Sequence, residues 1–309
     1  MTVTRQTTRR TTRRFGLLAL TLMLLAGCTP DLSGEPLTIA GGVPGGVYSK
    51  LAKSLAGIWQ GGLGMATTPN VLPSNGSRDN LGLLESRKAD VAFSAADLTT
   101  GHSDLRALAR IYDDYLHVVV LRSSHITKIE DLKDRTVAVG SPDSGVAFIA
   151  TKLLAQAAVQ AKTTPLNLDP ALDALATGGV DAVFWSGGLP TDAITRANQR
   201  SPLRLLDIGA QMDKMRELNA VYRTATIPAS TYPLGGGPVT TLIVPNYLVV
   251  RADMSPDLAE ALVAKLFDAV GELSNVSPAA QSIDVHPGIE TMPLDLHPGA
   301  LRYYRDRKP

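Results

Sequence analysis

Residues 37–60 read LTIAGGVPGGVYSKLAKSLAGIWQ, and this stretch limits the fold more than any other in the chain. A short apolar run of strand type, Leu37 to Ala40, breaks into a loop holding Gly41, Gly42, Pro44, Gly45 and Gly46. Beyond it Val47, Leu51, Leu55 and Ile58 recur at steps of four, four and three, which keeps them on one face of a helix. Strand, glycine loop and helix together bring backbone N–H groups close to a ligand, and the start of the helix offers unpaired donors to an anion. A P-loop needs Lys and Ser/Thr after its last glycine, whereas Val47 and Tyr48 follow Gly46. The dinucleotide fingerprint spaces its glycines G-x-G-x-x-G, whereas these come as two doublets around Val43 and Pro44. Taken alone, the loop fits a small-molecule cradle or a plain tight turn.

The same pattern returns one hundred residues later. Thr136 to Gly145, TVAVGSPDSG, is again strand, small-residue loop with a central proline, and helix, here with Val146, Ile149, Leu153 and Leu154 as its apolar positions. Downstream of each copy, a helix ends in small or polar residues, then comes an aspartate, then a strand: ADVAF from Ala89 and VDAVF from Val180. Two similar α/β units imply two lobes. In open α/β sheets ligands sit at the carboxyl ends of the strands, so the loops at 41–46 and 140–145 are expected to face one another across a cleft. Helix N-termini pointing inward from both sides favour a ligand with an anionic head group.

A chain of 309 residues has room for two ordinary domains or one large one. Its net charge of +1 conceals a split. Arg5, Arg9, Arg10, Arg13 and Arg14 lie among the first 27 residues, which hold no acid, leaving 25 basic against 29 acidic side chains in the rest. No basic field for nucleic acid remains. The apolar run Phe15 to Ala26 is too short to span a bilayer and suits the core of a signal peptide. Leu25-Ala26-Gly27-Cys28 then resembles a bacterial lipobox. The expectation is a signal peptide over 1–27, lipidation of Cys28, and a tether over 28–36 that holds the protein on the extracytoplasmic face of the cell membrane. Cys28 is the sole cysteine, so no internal disulfide can form.

No catalytic constellation is visible. G-x-S-x-G is absent, and the five histidines (His102, His117, His125, His286, His297) lack metal-ligand spacing. His286-Pro287-Gly288 and His297-Pro298-Gly299 read as turns with a surface histidine. Asp90 and Asp181 read as turn formers ahead of strands. Ser77 is placed as an N-cap, and Trp185 as half core and half cleft wall. The chain is therefore read as a non-enzyme with no metal and no cofactor.

In order along the chain, GGVPGGVYSKLA, SNGSRDN, ADVAFSAAD, VAVGSPDSG and LHPGALRYY resemble the motifs of the TAXI family of solute receptors of TRAP transporters, over most of residues 37–305. The resemblance implies an α/β fold of the type II periplasmic-binding-protein kind, with two α/β lobes joined by a two-strand hinge near residues 121 and 245. Lobe 1 would comprise 37–121 plus 246–309, and lobe 2 would comprise 122–245. It implies a receptor that closes on a small organic anion or amino-acid-like ligand and presents it to a TRAP-type permease driven by an ion gradient. By motif position the ligand contacts are Gly46, Tyr48, Ser77, Asn80, Asp97, Ser144 and Gly145, with Trp185 or Gly187 from the far lobe and Arg78 as a nearby positive charge. Two departures, Ala95-Ala96 before Asp97 and Val146 after Gly145, remove polar groups and argue against a glutamate-like ligand. A sensor lipoprotein of the same fold and a cleft enzyme on that fold are the alternative readings.

Overall fold

The computed structural model describes Gly34 and residues 36–307, so the segment expected to be a signal peptide and the expected lipidation site Cys28 lie outside the described residues. The first unit runs β1 (Thr38–Ala40), α1 (Val47–Leu63), β2 (Asn70–Leu72), α2 (Ser77–Glu85) and β3 (Val91–Ala95). A strand of 17 residues, β4 (Leu105–Leu121), leads to the second unit. That unit is β5 (Thr136–Ala138), α3 (Gly145–Gln156), β6 (Lys162–Thr164), α4 (Leu168–Ala176) and β7 (Ala182–Gly187). After it come α5 (Asp192–Arg200), β8 (Leu203–Leu205), α6 (Met212–Leu218), β9 (Arg223–Ile227) and the long β10 (Val239–Arg251). The chain closes with α7 (Pro256–Asp268), α8 (Val270–Val276), α9 (Val285–Gly288) and α10 (Pro298–Asp306).

The strands order as β2-β1-β3-β10-β4-β7-β5-β6, with β8 beside β4 and β9 beside β10. The trios β2-β1-β3 and β6-β5-β7 are parallel and mirror each other about the antiparallel β10–β4 pair. One device recurs in both. Asp90 Oδ2 accepts the backbone N–H of Thr38 at 2.9 Å, and Asp181 Oδ2 accepts that of Thr136 at 2.9 Å. Each aspartate also returns its own N–H to the carbonyl of the same threonine, at 2.8 and 2.7 Å. The carboxylates thus fasten the central strand of each trio to its neighbour, which is the physical content of the sequence repeat.

The buried stripe of α1 is Leu51, Ala52, Leu55, Ala56 and Trp59. Val47 and Ile58, the outer members of the apolar pattern, are only half-buried. Trp59 is fully buried and donates Nε1–H to the Leu262 carbonyl at 3.3 Å, tying α1 to α7. Helix α10 lies on α7, where glycine is obligatory at 299: a Cβ there would stand 2.1 Å from the Pro256 carbonyl oxygen. His297 is buried rather than on the surface, because it caps α10, its Nδ1 accepting the Gly299 N–H at 3.2 Å. His286 does stay exposed.

Strand β4 pairs with β10 as far as Tyr115 and with β7 from Tyr115 to Val119. Strand β10 pairs with β9 up to Ile243 and with β3 from Asn246. Both long strands thus pass from one lobe to the other where Tyr112–Tyr115 face Ile243–Asn246.

Candidate ligand cleft

The carboxyl ends of β1, β3, β5 and β7 converge, and the lobes are shut on each other. Gly76 precedes α2 with φ 120°, and a Cβ on it would lie 3.5 Å from Ser144 Cα across the cleft. From the other side, a Cβ on Gly145 would lie 3.5 Å from Ser77 Oγ. The N-termini of α2 and α3 therefore lie in close contact, with the Ser77 hydroxyl, Ala95 and Leu98 packed against Gly145. At the other end of the cleft a Cβ on Gly188 would lie 2.7 Å from Ala279 Cβ.

Tyr48 sits in the first turn of α1 and stacks on Phe93 of β3, with ring centroids 5.2 Å apart. Its hydroxyl lies 3.2 Å from Ser77 Oγ and donates to Asn246 Oδ1. Ser77 Oγ in turn accepts the Ala95 N–H at 3.0 Å. Ser77 is thus the first residue of α2, with Gly76 as the N-cap, and its hydroxyl serves β3 instead of capping its own helix. A polar relay results, in which Ser77 donates to Tyr48 and Tyr48 to Asn246. It runs from the α2 terminus to the crossing strands.

At the end of that relay lies Asp114, buried on β4. Burial pushes its carboxyl up to about 7, against the pull of Asn246, Tyr112 and Ser186. Ser186 Oγ is 3.4 Å from Asp114 Oδ2, while Asp114 Oδ1 and Asn246 Nδ2 are buried without a hydrogen-bond partner. Burial, together with the nearby charge of Asp114, holds the Tyr48 and Tyr112 hydroxyls well above the usual phenol range.

Several of the motif residues have local duties. Asn80 donates Nδ2–H to the Phe93 carbonyl at 2.8 Å and accepts from Ser74 at 2.5 Å, both within lobe 1. Ser144 caps α3, its Oγ accepting from the Ala147 N–H at 3.2 Å and donating to the Ser141 carbonyl at 2.6 Å. Asp97 is buried under lobe 2, where Tyr222 donates to its Oδ2 at 2.6 Å and its Oδ1 has no partner. Burial raises the Asp97 carboxyl to about 6, with Tyr222 and Lys152 pulling it down.

Trp185 faces away from the Asp114 cluster. Its Nε1–H bonds Thr191 Oγ1 at 3.1 Å and its ring joins the lobe 2 core, because strand alternation turns its neighbour Ser186 toward Asp114 instead. Gly187 lies under that indole, where a Cβ would meet Trp185 Nε1 at 2.5 Å. Gly46 is the N-cap of α1. Arg78 is exposed at the rim, 5.6 Å from the Phe148 ring of lobe 2, over which Lys152 Nζ also sits at 4.0 Å. These side chains border an open depression of about 520 Å³.

Asp114, Tyr112, Asn246, Ser186 and Tyr222 were not among the residues read from sequence. Asp114 left a signal: Asp113-Asp114 interrupts an otherwise largely apolar strand, and alternation must turn one acid inward. Asp113 takes the outward place and pairs with Arg110 at 2.9 Å. Among the described residues no group of three His, Cys, Asp or Glu is placed to hold a metal ion, and no helix is long and apolar enough to cross a membrane.

The architecture is shared with solved structures. XAC2383 from Xanthomonas citri bound to ATP is 13% identical, with a TM-score of 0.55 over 88% of this chain and 95% of that one. The periplasmic aliphatic sulphonate binding protein SsuA from Escherichia coli is 18% identical, with a TM-score of 0.50 over 90% and 80%. A histidine kinase sensor domain with similarity to periplasmic binding proteins is 14% identical, with a TM-score of 0.51 over 81% and 98%. At these identities the likeness is one of fold, the two-lobed α/β fold of periplasmic binding proteins. The sequence profile of one family matches residues 39–307, nearly all of the described residues, and the protein belongs to that family, the NMT1-like family.

Proposed function

We propose that the protein is an extracytoplasmic solute receptor, anchored through lipid on Cys28, that closes its two lobes over a small polar organic molecule and passes it to a TRAP-type permease. The observation that carries this reading is the cleft's polar lining, drawn from both lobes and from the strands between them. Ser77 and Tyr48 come from lobe 1, the α3 terminus at Gly145 from lobe 2, and Asp114 and Asn246 from the crossing of β4 and β10. Opening at that crossing admits the ligand, and closure brings the two helix ends together over it. The solute-binding fold of SsuA and the five-motif resemblance to TAXI receptors support the same reading. The protein is proposed to bind without turnover, since no nucleophile, base and orienting group stand together in the cleft as described.

Native mass spectrometry of the protein from its own host is expected to show one small molecule per chain, released unchanged on denaturation. Small-angle scattering is expected to show expansion when that molecule is dialysed away. A chain that carries nothing and keeps one radius of gyration in the presence and absence of host metabolites would refute the reading. The sensor-kinase fold match favours a second reading, in which closure is reported to a signalling partner. Uptake of the ligand by vesicles holding the permease, strictly dependent on this protein, decides for transport.

A further inference from the structure

Lobe 2 holds a concavity of about 390 Å³ under the loop that joins β9 to β10. Register puts it far from the cleft. Gly187, at the cleft end of β7, pairs with Tyr115, whereas Arg122 follows the opposite end of β4, about 20 Å further along the strand. Two guanidinium groups line the concavity, those of Arg122 and Arg204. Arg204 is held in place, its Nη2 donating to the Ser124 carbonyl at 3.1 Å and the Ile126 carbonyl at 2.6 Å, while its Nε has no partner. Arg122 is exposed. The ion pairs that arginines make among the described residues involve neither of the two. The glycine loop at 235–237 is shaped around Arg122. Gly235 takes a left-handed φ of 65°, and a Cβ on it would stand 2.8 Å from Arg122 Nη2, so only glycine lets the guanidinium lie against the loop. The N–H groups of Gly235, Gly236 and Gly237 donate to no carbonyl among the described residues. Asp207, the one acid in the lining, already accepts the Gly209 N–H at 2.8 Å through Oδ1 and the Thr240 N–H at 2.7 Å through Oδ2. Buried Leu205, Ile227 and Leu234 give the concavity an apolar floor.

We propose that this concavity binds a phosphate monoester with an apolar body, at a site separate from the cleft and independent of the receptor reading. Two guanidiniums and a run of unused glycine N–H groups offer more directional donors than a planar carboxylate can accept, whereas a dianionic phosphate has three oxygens to take them. Arg122 and Arg204 grip the phosphoryl oxygens, the glycine loop closes over the remaining side, and the organic substituent rests on Leu205, Ile227 and Leu234. Asp207 does not oppose the anion as a bare charge would, because both of its oxygens are already spent on backbone N–H groups.

Isothermal titration calorimetry on the purified, delipidated chain tests this with phenyl phosphate, inorganic phosphate and benzoate. One phenyl phosphate per chain is expected, bound at least about fivefold more tightly than inorganic phosphate, which lacks the apolar body, and at least about tenfold more tightly than benzoate, which lacks the phosphate. Arg122→Gln is expected to weaken phenyl phosphate at least about tenfold with an unchanged thermal midpoint, because that side chain is exposed and unpaired. Gly235→Ala, which displaces the guanidinium from the loop, is expected to weaken it as well, and Arg196→Gln, on exposed α5, to change affinity less than about twofold. Flotation with vesicles of phosphatidic acid in phosphatidylcholine separates the sources of the group: flotation lost in Arg122→Gln assigns the site to a lipid headgroup, and calorimetric binding without flotation assigns it to a soluble monoester. Inorganic phosphate or benzoate binding as tightly as phenyl phosphate, monoester binding that survives Arg122→Gln, or no binding of a monoester in solution or in vesicles overturns the proposal and leaves the receptor reading standing.

Discussion

Tyr222 of lobe 2 donates its hydroxyl hydrogen to Asp97 of lobe 1 over 2.6 Å, and both side chains are buried. This is a direct polar bond between the lobes, separate from the Ser77–Tyr48–Asn246 relay. Tyr222→Phe would leave both oxygens of Asp97 without a partner, since Oδ1 has none already. A buried group so stranded costs about 1–3 kcal/mol. The expected result is a lower thermal midpoint and a larger radius of gyration by small-angle scattering, as the closed form loses its latch. An unchanged radius would show that the bond does not hold the lobes.

Tyr48→Phe keeps the ring on Phe93 and removes only the hydroxyl that joins Ser77 to Asn246. The substitution is expected to cost about 1–3 kcal/mol of stability by leaving Asn246 Oδ1 unpaired. It should also weaken the molecule identified by native mass spectrometry roughly tenfold, about 1.4 kcal/mol. Calorimetry with that molecule checks the second figure; equal affinity would place the ligand away from Tyr48.

The pH dependence of stability has a definite sign at Asp114. Its folded value, about 7, lies above that of an unfolded aspartate, so between the two the folded protein holds the extra proton and stability falls as pH rises. Asp113, Tyr48, Tyr112 and the polar Asn246 and Ser186 are its neighbours. His117, buried beside Tyr232 with its value lowered to about 4, acts in the opposite sense and loses stability as pH falls below 6.5. The difference between variant and parent isolates Asp114. The thermal midpoint of Asp114→Asn minus that of the parent is expected to grow from pH 4 to pH 8, and a flat difference would mean that Asp114 titrates as an ordinary surface acid.

Two glycine substitutions separate close approach from chain entropy. Gly299→Ala drives a methyl group into the Pro256 carbonyl and is expected to cost at least about 3 kcal/mol by prising α10 from α7. Gly57→Ala, mid-helix in α1 with nothing within 4 Å of the new methyl, is expected to add about 1 kcal/mol. Paired urea titrations read both; similar effects would contradict the packing described for α10.

The repeat was legible because it rests on backbone requirements. Asp90 and Asp181 must precede their strands to reach Thr38 and Thr136, and glycines must form loops at the strand ends, so both features leave fixed marks in sequence. Tyr48, Ser77 and Gly145, expected together from motif position, do lie together where the two lobes meet. The cleft was not legible where the choice is one of side-chain direction. Trp185 and Ser186 are adjacent, and only their register with His117 and Leu116 shows that the serine turns inward. Tyr222 meets Asp97 across 125 residues of chain, a distance over which no local pattern carries information. Ser144, a ligand contact by motif position, also uses its hydroxyl as donor and acceptor within its own helix start, a local duty that motif position does not reveal.

Strand β10 comes late in the chain yet lies between β3 and β4. Until residues 239–251 have been made, β3 and β4 have open edges toward each other with a strand's width between them. The second lobe can therefore finish the trio β6-β5-β7 while the first is still incomplete. The half of the protein that begins first is completed last, by a strand that has already passed through its neighbour and by the helices that follow it.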